Sequence, residues 1–334
     1  MSTVHHNVKD IFFPNPNMFC QSYSTANTDV ELLLPLNSKT KTENDQGLYI
    51  YNTSTNEFKM IFKYNPEEIC FRAIYSNNTY ILNFTTSNEI RVYKDNTIYK
   101  SVLLEGCPND ICLDEVSNKL YIGINREFPE NTGLICELDL INYTLRYLVG
   151  EKFAGYTTAE NTSSISIVSG IAVKNNYLYV ATLMNIVMIN LLDLNDINII
   201  VNSSDYDTYP NFDNITIYND KFYVGIYNYG DYFGNFVLRH PILHKIIHTL
   251  YWCSRKSVFE TNINPDLSPM VDNSFVHYLE LEYNNSNTYT YKIIDIIFDK
   301  FDKEVTQIGK ISSDTYCMIN YKANKFIIYT EDNI

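Results

Sequence analysis

Five times along this chain a loop feeds a hydrophobic strand, a short polar turn and a second hydrophobic strand. The clearest copies are Asn109-Asp110-Ile111-Cys112-Leu113 leading to Leu120-Tyr121-Ile122-Gly123, and Ser169-Gly170-Ile171-Ala172-Val173 leading to Leu178-Tyr179-Val180-Ala181. A third is Asp213-Asn214-Ile215-Thr216-Ile217 leading to Phe222-Tyr223-Val224-Gly225. Weaker copies run from Phe71-Arg72-Ala73-Ile74 to Tyr80-Ile81-Leu82, and from Tyr316-Cys317-Met318-Ile319 to Phe326-Ile327-Ile328. A repeat of roughly 40 residues built only from strands marks a β-propeller. Propellers gather their loops at one end of a central channel, and chemistry with them. The residues that open three of the copies are Asn109, Ser169 and Asp213, so side-chain oxygen recurs where a channel site would lie.

The length of 334 residues sets the blade count. At about 40 residues per blade, it predicts an all-β, six-bladed β-propeller. Blades are expected at about 20–65, 68–103, 107–150 and 165–202, with a fifth from about 211 and a sixth in the remainder. Tyr is frequent at 29 residues and Gly scarce at 11, a composition that suits pleated, half-buried strands. No Pro-, Gly- or Ser-rich linker divides the chain, so 1–334 is expected to be a single domain and a monomer.

A formal net charge of −14 excludes nucleic acid as a natural partner, because binding it requires clustered Lys and Arg to neutralise phosphates. Seven cysteines are spread without a CxxC pair, so zinc-ribbon and thioredoxin motifs are unsupported. They read mainly as small buried hydrophobes. A disulfide between Cys20 and Cys317 would join the first and last blades and lock the ring. Met1–Asp10 resembles no signal peptide, and strand text begins near Met18. No stretch has the length of a membrane span. The chain therefore reads as cytoplasmic, or secretory if a leader precedes it.

One segment breaks the strand pattern. Leu238, Ile242, Leu243, Ile246, Ile247 and Leu250 recur at helical spacing through 238–252, with Pro241 in the first turn. This predicts a helical insertion in blade five, packed on the propeller or serving as a lid or a membrane or lipid contact. His240, His244 and His248 form an i, i+4, i+8 row on it. Without an HExxH Glu or a nearby Cys, they read as surface or capping histidines rather than zinc ligands.

Pro108-Asn109-Asp110-Ile111 with Leu120-Tyr121-Ile122 resembles the third-blade signature of the superfamily of paraoxonases, strictosidine synthases, gluconolactonases and regucalcin. Phe212-Asp213-Asn214-Ile215 resembles the Asp-Asn motif of its later blade. The segment from Arg239 to Ile247 falls where strictosidine synthase-like and adipocyte plasma-membrane-associated proteins carry a short helix. Agreement in order and spacing covers about 68–252.

This resemblance implies a calcium ion at the channel mouth, with a second, structural ion in some members. Calcium takes six to eight hard oxygen ligands. Carried over position by position, Asn109, Asp213 and Asn214 are retained, and Ser169 replaces a fourth-blade Asn. The first-blade Glu falls near Gln21 and Ser22. Asp110 matches a position that serves the second ion. The histidine pair that provides a base in the lactonases is replaced by Arg72 and Phe84. The resemblance thus implies a calcium-dependent hydrolase of a small-molecule ester or lactone, with Asp213 and Asn109 in the catalytic set and activity reduced. The alternative is a non-catalytic, degenerate propeller that binds a small apolar ligand or a partner protein. Asn and Asp at loop-to-strand junctions also cap turns through their own side chains, which is the structural alternative for Asn109 and Asp213.

Overall fold

The computed structural model describes residues 6–26, 30–40, 45–126, 132–151, 159–182, 185–202, 211–218, 221–227, 275–284, 288–297, 307–319 and 324–331. These residues form a β-propeller of antiparallel sheets. An N-terminal strand β1 (His6–Phe12) precedes the first sheet. That sheet contains β2 (Met18–Cys20), β3 (Ser24–Thr25), β4 (Glu31–Ser38), β5 (Gly47–Asn52) and β6 (Glu57–Lys63). Its order is β2-β4-β5-β6, and β3 also pairs with β4, so β2 and β3 are two halves of one broken strand.

The following sheets repeat the meander. Strands β7 (Cys70–Ser76), β8 (Thr79–Phe84), β9 (Glu89–Lys94) and β10 (Thr97–Leu103) form the next. Then come β11 (Cys107–Asp114), β12 (Lys119–Asn125), β13 (Thr132–Asp139) and β14 (Leu145–Val149), with a short β15 (Ile165–Ser166) on β13. They are followed by β16 (Val168–Lys174), β17 (Tyr177–Thr182), β18 (Asn185–Asn190) and β19 (Ile197–Asn202). Next are β20 (Asn211–Tyr218), β21 (Lys221–Tyr227), β22 (Phe275–Asn284) and β23 (Thr288–Ile297). The last sheet has β24 (Gln307–Lys310), β25 (Thr315–Ile319) and β26 (Lys325–Glu331), and β1 returns to complete it beside β26. First strands pack on first strands around the axis: β11 on β7, β16 on β11, β20 on β16 and β24 on β20.

Strand structure thus begins at His6, ahead of the Met18 expected from the sequence. The reason is that β1 is an outermost strand. Backbone pairing from His6↔Glu331 to Phe12↔Lys325 holds it, and Ile11 and the following Phe13 enter the core while Phe12 is exposed. Phe13 stacks on Phe326 at 5.9 Å, and Lys325 pairs with Asp10 at 3.0 Å.

The tight hairpins explain how a chain poor in glycine turns so often. Asn77-Asn78, Asp95-Asn96 and Asn175-Asn176 each carry positive φ at both residues and link Ser76↔Thr79, Lys94↔Thr97 and Lys174↔Tyr177. Both central residues at φ > 0 is the type I′ geometry that matches strand twist. Asn and Asp tolerate it because their short polar side chains bond locally. Asn abundance therefore has a structural use beyond any coding bias. Tyr143, at φ 59°, is the bulky exception among the described residues, and its ring packs on Tyr99.

Apolar residues alternate inward along these strands and fill the spaces between sheets. One cluster joins β2, β4 and β5 to β25 and β26 through Met18, Leu32, Tyr51, Cys317 and Phe326. Another joins β9 to β11, β12 and β13. Cys20 and Cys317 share the first cluster as free, buried thiols, in keeping with their reading as small hydrophobes, and the bond between first and last blades is not formed. The Cys20 thiol instead lies 3.1 Å from the Ser22 carbonyl. The 238–252 helix, its histidines and Cys253 lie outside the described residues.

Burial drives the Cys20, Cys70, Cys136 and Cys317 thiols above their ordinary value of 9.0. Above pH 9 the unfolded chain loses these protons while the folded chain keeps them. Stability contributed by the shift is full below pH 9 and declines above it, by about 1.4 kcal/mol per pH unit for each such thiol. Urea unfolding at pH 8 and pH 10.5 should show that loss, and an aromatic disulfide reagent should modify these four thiols only after denaturation. Prompt labelling of all four in the native protein would contradict the packing.

Candidate functional site

The segments that open the repeats share one backbone device. The ladder register shifts between Cys70 and Ala73 in β7, between Pro108 and Asp110 in β11, between Val168 and Gly170 in β16, and between Phe212 and Ile215 in β20. In the first sheet the same place is the break between β2 and β3, where Gln21 and Ser22 sit. A β-bulge releases a residue from the ladder and re-aims its side chain. Gln21, Ser22, Phe71, Arg72, Asn109, Asp110, Ser169 and Asn214 all lie at these irregularities, on the inner strands, and all are buried.

Their side chains reach sideways from one sheet to the next. Arg72 Nε donates to Ser22 Oγ at 2.8 Å. Arg72 Nη1 meets Asp110 Oδ1 at 2.9 Å and Oδ2 at 3.2 Å. The same carboxylate accepts from Ile111 N and Ile171 N, each at 2.9 Å. A buried charge is tolerated only when paired and hydrogen-bonded, and Asp110 is both. Its four contacts connect three successive sheets. At the next step Gly170 is required by space: a Cβ there would stand 2.6 Å from Asn214 Cα and Ile215 N.

The residues expected at a calcium site are drawn into the same seams. Asn109 Nδ2 donates to Val168 O at 2.8 Å. The Ser169 hydroxyl lies 2.7 Å from Phe212 O and 2.9 Å from Ala181 O, and so donates to a carbonyl. Asn214 is fully buried. The Asp213 side chain lies outside the described residues, although its backbone belongs to β20. Among the described residues no group of three His, Cys, Asp or Glu side chains converges to hold a metal ion. A cation beside Asp110 would face the Arg72 guanidinium, whereas the bonds donated by Asn109 Nδ2 and the Ser169 hydroxyl use hydrogens and not the lone pairs of their oxygens. At the two lactonase-base positions, Arg72 is ion-paired, and Phe84 is buried beneath the Arg91 guanidinium, 4.4 Å from its ring centroid.

A second tier of contacts was not foreseen from the sequence. Near the end of β4, Asn37 bonds both backbone groups of Cys70, accepting from N and donating to O at 2.8 Å each. At the equivalent place in β8, Asn83 accepts from Arg72 N at 2.6 Å and donates to Pro108 O at 3.1 Å. At the end of β12, Asn125 accepts from Val168 N at 2.8 Å and donates to Val168 O at 2.9 Å. Gln307 of the closing sheet does likewise for Tyr23, accepting from N at 2.7 Å and donating to O at 3.2 Å. The signal existed: an Asn near the end of the second strand in three consecutive repeats, Asn37, Asn83 and Asn125. Burial also pushes the Tyr23 phenol well above its ordinary range, with the nearby Cys317 thiol adding to the shift and Arg72 opposing it. Tyr23 thus stays a neutral donor, 3.3 Å from Cys317 O.

No family model matches the chain, and no curated protein matches it. Solved structures do. One is a catalytically inactive variant of virginiamycin B lyase from Staphylococcus aureus with quinupristin, at TM-score 0.52 and 9% identity, covering 98% of this chain and 99% of that one. Another belongs to a mitotic checkpoint complex, at TM-score 0.52 and 9% identity, covering 99% of this chain and 93% of that one. At such identity the likeness speaks for the fold alone.

Removing one partner of a buried ion pair costs about 3–5 kcal/mol. Arg72→Met and Asp110→Asn should each lose stability of that order, and the double variant should lose less than the sum. Asn37→Ala strands two buried backbone groups and should cost about 1–3 kcal/mol. Urea denaturation reads all four. An Arg72→Met protein within about 1 kcal/mol of wild type would show that the pair is not a tie between sheets.

Proposed function

We propose that this chain is a non-catalytic six-bladed propeller that binds a partner protein through its outer surfaces. The observation behind this reading is the engagement of Asp110. The one inner carboxylate among the described candidates is held by Arg72 and two backbone amides, in the place where an active relative would present oxygen to a metal. Asn109 and Ser169 donate to neighbouring backbone carbonyls. A carboxylate engaged as Asp110 is holds blades together and is not free to activate a water. A propeller with its axis used for closure still offers broad faces and rigid hairpins, and fold alone never assigns chemistry.

The calcium-dependent ester or lactone hydrolase is the competing proposal, and its remaining support is the Asp213-Asn214 text in β20. Calorimetry separates the two. Calcium titrated into chelator-treated protein should give no saturable heat, beside an Asp213→Ala variant as control. A saturable heat in the wild type that vanishes in the variant would overturn the binding reading and make an ester and lactone screen the next step.

A further inference from the structure

Among the described residues, four connections between neighbouring strands of one sheet begin with a capping Asn or Asp, and Asn15, Asn65 and Asn161 cap connections between sheets in the same way. Asp114 Oδ1 accepts from Val116 N at 3.1 Å and Ser117 N at 3.4 Å. Asp139 Oδ1 accepts from Ile141 N at 2.7 Å and Asn142 N at 3.2 Å. Asn190 Oδ1 accepts from Leu192 N at 3.0 Å. Asn52 Oδ1 accepts from Ser54 N at 2.9 Å and Thr55 N at 3.0 Å. The residue two places after the cap stands at the apex. In the Asn52 turn it is Ser54, the kind of small polar residue a solvated turn favours. In the other three it is a branched aliphatic: Val116 is 95% exposed, Leu192 80% and Ile141 75%.

Topology brings these three apices to one end of the propeller. Val116 caps the β11–β12 hairpin and Ile141 the β13–β14 connection. Register Lys119↔Asp139 places both turns at the same end of one sheet. Leu140 N bonds Asn118 O at 3.0 Å and ties the two turns together. Leu192 caps the β18–β19 connection of the next sheet, whose first strand packs on β11 and runs with it, since Asn109 bonds Val168 O and Asp110 bonds Ile171 N. There Leu191 N bonds Asn176 O at 2.8 Å, which braces that turn against its own hairpin. Single exposed aliphatics need no explanation. Three at the same position of the same rigid turn, in adjoining sheets, form a pattern. Because the turns are already fixed, little loop entropy is lost when a partner covers them.

Charge selects the partner. The capping carboxylates Asp114 and Asp139 lie beside the apices, with Glu115, Asp193 and Asp196. Against these five acids stand Lys119, already paired with Glu137 at 3.0 Å, Lys174, Lys100 over the Tyr143 ring of the Ile141 turn at 5.7 Å, and Lys94 over the adjoining Tyr99 ring. The chain as a whole carries −14. An anionic surface would be repelled. We infer that this end is a docking surface for a partner protein that presents apolar pockets rimmed by Lys and Arg. The inference rests on the binding reading above and names its surface.

The test uses the full chain and the triple variant Val116→Ser, Ile141→Ser, Leu192→Ser. All three side chains are solvent-exposed, so the melting temperature should not move. The probe is a synthetic amphipathic Leu/Lys peptide, compared with its Ser/Lys counterpart by fluorescence anisotropy at two salt concentrations. The Leu/Lys peptide should bind saturably, weaken at higher salt, and lose at least tenfold in affinity for the triple variant. Equal binding to both proteins, equal binding of the Ser/Lys peptide, or no binding would overturn the inference. So would phosphatidylcholine vesicles that bind wild type and not the triple variant, since they would make the apices a lipid contact. Calcium calorimetry reads separately. Failure here with no calcium heat removes this surface and leaves the non-catalytic propeller standing, whereas a calcium heat lost in Asp213→Ala removes that reading itself.

Discussion

A propeller has no single core. It has a series of seams between sheets, and each seam must hold or the ring opens. In this protein the seams are tied near the axis by buried polar groups set at backbone bulges. The pair of Arg72 and Asp110 is the central tie, because it reaches Ser22 on one side and Ile171 on the other. Dispersion and apolar burial between sheets supply most of the stabilisation, but they are tolerant of small slides. Hydrogen bonds to backbone groups that would otherwise be buried and unpaired are not tolerant, since each orphaned group costs free energy. The ties therefore set the register of one sheet on the next.

That constraint explains why the same residues invite a catalytic reading. An oxygen-bearing side chain at an inner-strand bulge can point toward the channel or along the seam. Asn109, Asp110 and Ser169 point along the seam. The choice depends on what the neighbouring sheet offers: an arginine and two free amides for Asp110, open carbonyls for Asn109 and Ser169. A one-dimensional motif carries the bulge and the residue type, and it does not carry the neighbour.

Much of the architecture was legible. Strand alternation and the 40-residue spacing marked the sheets from Cys70 to Asn202 nearly to the residue. The outermost β1 was not read from the sequence, because it belongs to no repeat of its own and is held by backbone pairing with β26. The free, buried state of Cys20 and Cys317 was legible from the absence of paired spacing and from their strand context. For the site, residue positions were legible and their roles were not. Ser22 and Arg72, noted in passing from the sequence, turn out to be the partners that define Asp110. Asn37, Asn83 and Asn125 were lost in an Asn-rich background, although their periodic placement is plain once the strands are aligned.

The pairing of β1 with β26 has a consequence for how the chain reaches this structure. The final sheet cannot be finished by its own neighbours in sequence. It waits for a segment more than three hundred positions away, a contact of the greatest separation the chain allows. Contacts of that kind are slow to form, because loop closure costs entropy before the contact returns anything. The earlier sheets, built from adjacent hairpins, can assemble first, and docking of β1 then becomes the last and slowest event. Until it occurs, β26 presents an unpaired edge, and that interval is when this protein is most exposed to pairing with the wrong strand.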